Sequence, residues 1–500
     1  MMHQTVNTIP PYLRWMIYAF SALLFSYFAG FSMLDDGMRH IAFAAHPEIM
    51  ESWADVFPHS LFFREYDPWH VWHSIIALYL EFIPYHSVHT AITATVLFLM
   101  MLLIDQLLIK YSDMRLGSVH ILLVLAIVIL GDDRYITVRP DLLSGLYVMA
   151  ALLFKERGIL LFILTLFYAP SYYLFFLYTG SIGLVYLTLK DAKAFSAVFI
   201  ASLLGLALHL SLDGTAYLQT VWNLLTDQSL RSGLEVGEGK ALFGFLSLFN
   251  YYALVLFFGG IITVITYKFY AYFQKQPLAL FLLITSILWI IQVRYFLLLR
   301  SLMLLYLLIE FRNISNMLLS RRVLYYLFRM WHIIRSASSR PLFYLLAIPY
   351  TIAMFAYSMQ TNETRSKELL QTKGFFSNKK LDNRRFLSNS FNLNTYFALY
   401  LNPTLEMIPS CSIGWFEQKS ASMKEIYIRM MKPEGIKEEE LQQLLAYTRP
   451  DYYLHSFRNI QQVLDFKRLK AIGLEPLLIL DNQALFKYTM KDRNSIMEKN

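Results

Sequence analysis

Apolar residues in this chain fall in long runs broken by short charged turns, rather than in the stripes of an amphipathic soluble protein. Runs of about 20 residues with little or no charge match what a helix rising 1.5 Å per residue needs to cross roughly 30 Å of hydrocarbon. They predict a polytopic α-helical membrane protein with about eleven transmembrane helices. The first span covers 12–31. Further spans fit near 88–109, 116–130, 141–154, 158–169, 170–189, 194–212, 250–270, 278–292, 295–311 and 342–359. Several are short, and 158–189 reads either as one kinked span or as two around Pro170. Between the first two spans lies a long outer loop, 32–87, rich in His and Trp. Its mostly apolar piece at 71–84 is too short for a comfortable crossing and reads as interfacial.

Hydropathy falls after 359, and 360–500 reads as a C-terminal soluble α/β domain, long enough for a core of its own. Glu- and Leu-rich 436–447 predicts a helix, 451–455 a strand, 459–473 a helix ended by Gly473, 476–480 a strand and 484–489 an edge strand.

Charge gives the orientation. With a cytoplasmic N-terminus, the inside turns carry Lys110 and Arg115, Lys155 and Arg157, Lys190 and Lys193, and Lys268 and Lys275. The stretch 312–340 also falls inside, with six arginines and no acidic residue. This is the positive-inside pattern. It accounts for the net charge of +8 through lipid headgroups, not nucleic acid. Eleven spans put 360–500 outside, with Asp35 and Asp132. The composition, 56% hydrophobic and 16% charged, agrees with this class. One cysteine, Cys411, excludes an internal disulfide or a thiol-based metal site. The N-terminal run has Arg14 but no small-residue cleavage pattern, so it reads as an uncleaved span.

Candidate chemistry gathers on the outer face. Directly after the first span stands Asp35-Asp36-Gly37-Met38-Arg39-His40. Helical spacing puts Asp35 beside Arg39 and Asp36 beside His40, which serves an ordinary helix start. A carboxylate at a membrane boundary is also placed to act as a general base on a hydroxyl. A second acidic pair, Asp132 and Asp133, follows the third span, with Arg139 close behind. Such a loop often only turns the chain, but two acid pairs on one face are a more specific signal than either alone. Their hard oxygens suit a divalent cation such as Mg or Mn, or one pair acts without metal. Arg294 and Arg300 fall late, within a span, where arginine is expensive and faces a polar cavity or partner. Guanidinium groups match phosphate oxygens in a bidentate way, which makes a lipid phosphate a natural guest. His70 with His73, and His86 with His89, have metal-compatible spacing, but no carboxylate is fixed beside them. The glycines at 231–240 lack phosphate-loop spacing and read as a connection or lid.

Together these features resemble the GT-C class of integral-membrane glycosyltransferases, which use polyprenyl-phosphate or polyprenyl-diphosphate sugars. The resemblance rests on Leu34-Asp35-Asp36 after the first span, a long first outer loop, Asp132 and Asp133 after the third span, late-span arginines and a C-terminal domain on the same face. The closing segment, from Asn392-Leu393-Asn394-Thr395-Tyr396 through Asn402-Pro403 and Ile413-Gly414-Trp415 to Asp451-Tyr452-Tyr453, is similar to the outer domain of bacterial members. It implies an inverting single displacement by a transmembrane domain at 1–359. Asp35 would be the base and Asp36 its support. Arg39, Arg139, Arg294 and Arg300 would neutralise the departing lipid phosphate, and His40, Asp132 and Asp133 would support the site. Expected partners are the polyprenyl-phosphate sugar, a glycan, lipid or protein acceptor, and membrane lipids. Metal dependence stays open and no cofactor is assigned. The lone cysteine and compact outer loops point to a bacterial inner membrane with the active face periplasmic.

Three rivals use the same features. A transporter or flippase of lipid-linked saccharides would need the intramembrane arginines, but no inverted repeat is visible. A surface-polysaccharide polymerase or ligase would carry its large loop late in the chain, not after the first span. A membrane anchor with a partner-binding domain would leave the acid pairs and Arg300 without a role.

Overall fold

The computed structural model describes residues 10–29, 37–47, 69–111, 119–131, 138–140, 142–215, 217–218, 221, 260–262, 264–291, 293–310, 329, 381, 384–388, 402, 406–408, 421–430, 437–456, 466–480 and 483–489. The helices are α1 (Pro11–Ala29), α2 (Gly37–Ala45), α3 (His70–Phe82), α4 (Tyr85–Tyr111), α5 (Val119–Gly131), α6 (Leu142–Leu153), α7 (Gly158–Tyr168), α8 (Phe175–Thr188) and α9 (Ala192–Asp213). After these come α10 (Tyr270–Lys275), α11 (Pro277–Ile291) and α12 (Val293–Ile309). Among the described residues, two stretches, Tyr85–Tyr111 and Ala192–Leu212, are long and apolar enough to cross a membrane by length and composition. The span read at 342–359 lies outside the described residues.

The pillar of the helical part is α4, which packs against α1, α2, α3, α5, α6 and α12. It serves so many neighbours because its buried residues form one wide stripe, two per turn, that runs from Val88 and His89 to Leu107 and Leu108. Each fully buried Leu, Ile or Met contributes about 1.5–3 kcal/mol relative to exposure. In a second group, α9 packs against α7 and α8, and all three meet the turn that joins α7 to α8. Asp191 caps the start of α9, its Oδ1 accepting from the Ala194 N–H at 3.0 Å.

Two helices leave an apolar face exposed. On α1, Tyr12, Met16, Phe20, Leu23 and Tyr27 form one exposed face at helical spacing, while Tyr18, Ser21, Ala22 and Phe25 are buried. On α9, Ala194, Val198, Ala201 and His209 are buried, and Phe199, Leu203, Leu204, Leu208 and Leu212 are exposed.

The C-terminal part holds β1 (Arg385–Ser388), β2 (Glu406–Ile408), α13 (Ala421–Met430), α14 (Glu438–Thr448), β3 (Tyr452–Ser456), α15 (Phe466–Ala471), β4 (Leu474–Leu480) and β5 (Gln483–Tyr488). Its sheet has the order β2-β1-β3-β5-β4. β1 is parallel to β2 and β3, whereas β5 is antiparallel to β3 and β4. Strand alternation divides the apolar residues between two faces. Leu387, Tyr453 and Phe486 share a core with Leu444 and Leu445 of α14 and Tyr427 of α13. Phe386, Leu454 and Leu485 face the other way and belong to the hydrophobic cluster that runs through the helices. α14 starts with Glu438, Glu439 and Glu440, which suit the positive end of the helix dipole, and Glu440 Oε2 accepts from the Lys437 N–H at 3.0 Å.

Candidate functional site

Asp35, Asp36, Asp132 and Asp133 lie outside the described residues. The described helix α2 begins at Gly37, the next residue in the chain, and Arg39 and His40 stand in its first turns. Arg139 is half-buried just ahead of α6, and its carbonyl accepts from the Leu142 N–H at 3.2 Å, opening that helix. Arg294 and Arg300 both lie on α12.

His40 is joined to a partner from another helix. Its Nδ1 lies 2.8 Å from Nε2 of His73, which stands in the first turns of α3, and both rings are buried. A contact this short between two imidazoles is an N–H···N hydrogen bond, with one ring donating and the other accepting. It ties the starts of α2 and α3 together. Trp69, the residue before α3, sits edge-on to His40 with centroids 5.1 Å apart, and Phe43 meets His73 edge-on at 6.2 Å. Trp69 also meets Tyr173, again edge-on, at 6.0 Å. The helices that follow Asp36 are thereby seated on the turn between α7 and α8.

That turn is built around Pro170. Proline has no N–H to give and its ring disrupts a continuing helix, so α7 ends at Tyr168 and a single 3-10 turn, Ala169–Ser171, leads to α8. The break leaves backbone carbonyls without intrahelical partners, and side chains supply them. His209 Nε2 donates to the Ala169 carbonyl at 3.1 Å, the Tyr217 hydroxyl to the Tyr173 carbonyl at 2.7 Å, and the Ser171 hydroxyl to the Phe167 carbonyl at 2.8 Å. The His209 ring is stacked between Phe175, at 5.6 Å, and Tyr217, at 4.6 Å. Gly205 precedes His209 by one turn of α9, and a Cβ on it would overlap the Cβ of Ala169. Glycine admits the turn, and histidine caps it.

The C-terminal end of α6 is closed in the same manner. The hydroxyls of Tyr186 and Tyr111 donate to the carbonyls of Ala151 and Leu152, at 2.6 and 2.9 Å, and Lys110 Nζ reaches the Leu153 carbonyl at 2.7 Å. Three residues from α4 and α8 thus satisfy the last carbonyls of α6. Nearby, Asp105 of α4 is fully buried: Tyr18 donates to its Oδ1 at 2.9 Å, Gln106 to its Oδ2 at 3.2 Å, and Arg14 Nη1 stands 3.6 Å from Oδ1. A charge so deep needs this set of partners. It fastens α1 to the pillar.

Among the described residues, no group of three or more His, Cys, Asp or Glu side chains is arranged to hold a metal ion. Sequence reading marked His70 and His73 by spacing but missed the pairing of His73 with His40, because the two lie 33 residues apart. It also passed over Asp105 and His209, for which a signal existed: each is a polar residue inside an apolar run.

No protein-family model matches the chain, and no curated protein matches it.

Proposed function

We propose that this chain is a GT-C-like membrane glycosyltransferase that moves a sugar from a polyprenyl-phosphate donor to an acceptor hydroxyl or amide on the extracytoplasmic face. The observation that carries the reading is the His40–His73 contact, which ties α3 to α2, the helix that begins one residue past the Asp35-Asp36 pair. A base working on a lipid-linked substrate needs a rigid mount at the membrane boundary, and two loop helices tied at their starts and seated on the Pro170 turn supply one.

Membrane placement is supported by the apolar faces that α1 and α9 leave exposed. On α1, the exposed apolar face, with half-buried Arg14 turned to the buried Asp105 of α4, suits a lipid solvent. Capped helix ends agree with it, since a carbonyl shielded from water needs an internal partner. About eleven spans, a bacterial inner membrane and a periplasmic active face belong to the same proposal.

In the displacement, the acceptor oxygen bonds to the anomeric carbon as the bond to the lipid phosphate breaks. Asp35 takes the acceptor's proton, with Asp36 beside it in the chain. Negative charge moves to the phosphate, where Arg39, Arg139, Arg294 and Arg300 are the cations assigned to neutralise it. His40, Asp132 and Asp133 support the site.

The test is transfer from a panel of radiolabelled polyprenyl-phosphate sugars by the detergent-purified protein, wild type beside Asp35→Asn. Transfer that vanishes in the variant while donor binding persists is the expected result. Donor binding without turnover in both proteins would turn the assignment to a transporter of lipid-linked saccharides, and no binding to any donor would end it.

A further inference from the structure

One end of the helical part is gathered from four segments that lie far apart in the chain. The turn from α6 to α7 meets the end of α4, where Lys110 Nζ reaches the Leu153 carbonyl and stands 3.9 Å from Glu156. The Gln276 side chain, just after α10, donates to the Tyr111 carbonyl at 3.3 Å. The Tyr270 hydroxyl, at the start of α10, donates to the Leu189 carbonyl at 3.3 Å, and Lys190 Nζ lies 5.8 Å from the centre of the Tyr270 ring. The turn from α8 to α9 comes back to α7. A Cβ on Gly158 would stand 3.1 Å from Cε of Lys193, so the bare glycine lets that lysine lie across the start of α7, next in the chain to Arg157.

Cations collect at this end, and its acids are already engaged. Segments 110–111, 153–158, 189–193 and 267–276 carry Lys110, Lys155, Arg157, Lys190, Lys193, Lys268 and Lys275 against Glu156 and Asp191. Glu156 faces Lys110, and the Asp191 carboxylate caps α9. The other six cations have no carboxylate partner among the described residues. Lys190 follows α8 at φ 61°, a left-handed position that glycine usually takes, so the backbone is strained where it presents this charge. Apolar side chains border the patch: Ile159, Leu187, Tyr267 and Phe269 are all at least half exposed.

Charge and border together select the ligand. A soluble anion would use the cations and leave the exposed aliphatic and aromatic side chains in water. A phosphate carried on acyl chains meets both, with its headgroup on the ammonium and guanidinium groups and its chains along Ile159 and Leu187. We propose that this end of the helical part binds an anionic phospholipid, with Lys155, Arg157 and Lys193 on its phosphate and Lys190 and Lys268 at the rim. The positive-inside pattern orients spans by counting charges. A lipid seat also needs particular cations side by side, which the packing of these four segments provides. Such a seat presupposes the membrane placement proposed above and is independent of sugar transfer.

Native mass spectrometry of the full-length protein released from a neutral detergent tests it. The probes are dioleoyl phosphatidylglycerol and dioleoyl phosphatidylcholine in equimolar mixture, with inorganic phosphate as competitor. The expected result is preferential retention of phosphatidylglycerol that millimolar phosphate does not displace. Arg157→Gln combined with Lys193→Gln should weaken that retention about twenty-fivefold, about fivefold for each cation. Arg157→Lys combined with Lys193→Arg keeps both charges and should preserve it. Lys470→Gln combined with Lys487→Gln, in the C-terminal domain, should leave it unchanged. Equal retention of the two lipids, displacement by phosphate, or retention indifferent to the charges at Arg157 and Lys193 would overturn the proposal. Protein that stays monodisperse without detergent would overturn the membrane placement and the seat with it. Absence of sugar transfer while phosphatidylglycerol is still retained would overturn the transferase assignment alone.

Discussion

His209 Nε2 donates to the Ala169 carbonyl across 3.1 Å, and Gly205, one turn earlier on α9, leaves the space that lets Ala169 come so near. The two residues act as one device. Together they seat the Pro170 turn, whose Tyr173 in turn supports Trp69 and the His40–His73 pair.

His209→Phe keeps an aromatic ring between Phe175 and Tyr217 but removes the donor. An orphaned buried carbonyl costs about 1–3 kcal/mol, so the midpoint of thermal unfolding in detergent should fall by several degrees. Gly205→Ala forces a methyl group against Ala169 and should destabilise to a similar extent, about 1–3 kcal/mol, through overpacking. An unchanged midpoint in both variants would show that the turn is held by something else.

Asp105 is the deepest charge among the described residues. Arg14→Leu leaves that carboxylate short of its cation and should cost about 3–5 kcal/mol, as should Asp105→Leu in reverse. The double variant, with both charges gone, should recover most of the loss. A double-mutant cycle on detergent-purified protein measures this, and simple additivity would mean that the pair does not fasten α1.

His40 and His73 are expected to behave as a unit in sugar transfer. His40→Ala and His73→Ala should each lower turnover, and the double variant should be little worse than the worse single one, with a coupling of about 0.5–3 kcal/mol. Effects that multiply instead would assign the two rings separate roles.

In the C-terminal domain, burial pushes the Tyr453 hydroxyl above the ordinary phenol value of 10.0. A raised folded value means that the native state keeps its proton while the unfolded chain loses it. Stability from this group is therefore complete below pH 10 and drains away as pH rises from the unfolded value through the folded one. Phenolate absorbance followed with far-ultraviolet circular dichroism between pH 9 and 12 should show alkaline unfolding of the domain. Tyr453→Phe should shift that unfolding to higher pH, and an identical profile for the two proteins would reject the assignment to Tyr453.

Element type and rough position were legible in the chain because hydrophobic periodicity and helix punctuation are local properties. The run at 194–212 lies within α9, the apolar piece at 71–84 overlaps α3, and 451–455 overlaps β3. The choice left open at 158–189 falls to two helices, since Pro170 breaks the backbone ladder there. The helix read at 459–473 is described only over Phe466–Ala471. Hydropathy names a residue as apolar or polar but carries no information about its partner. That His40 meets His73, that Asp105 meets Arg14 and that Ala169 rests on Gly205 are decided by packing between segments 33 to 91 residues apart. The same holds for the C-terminal sheet: each strand is local, whereas strand order is a choice among edges that only the assembled domain makes.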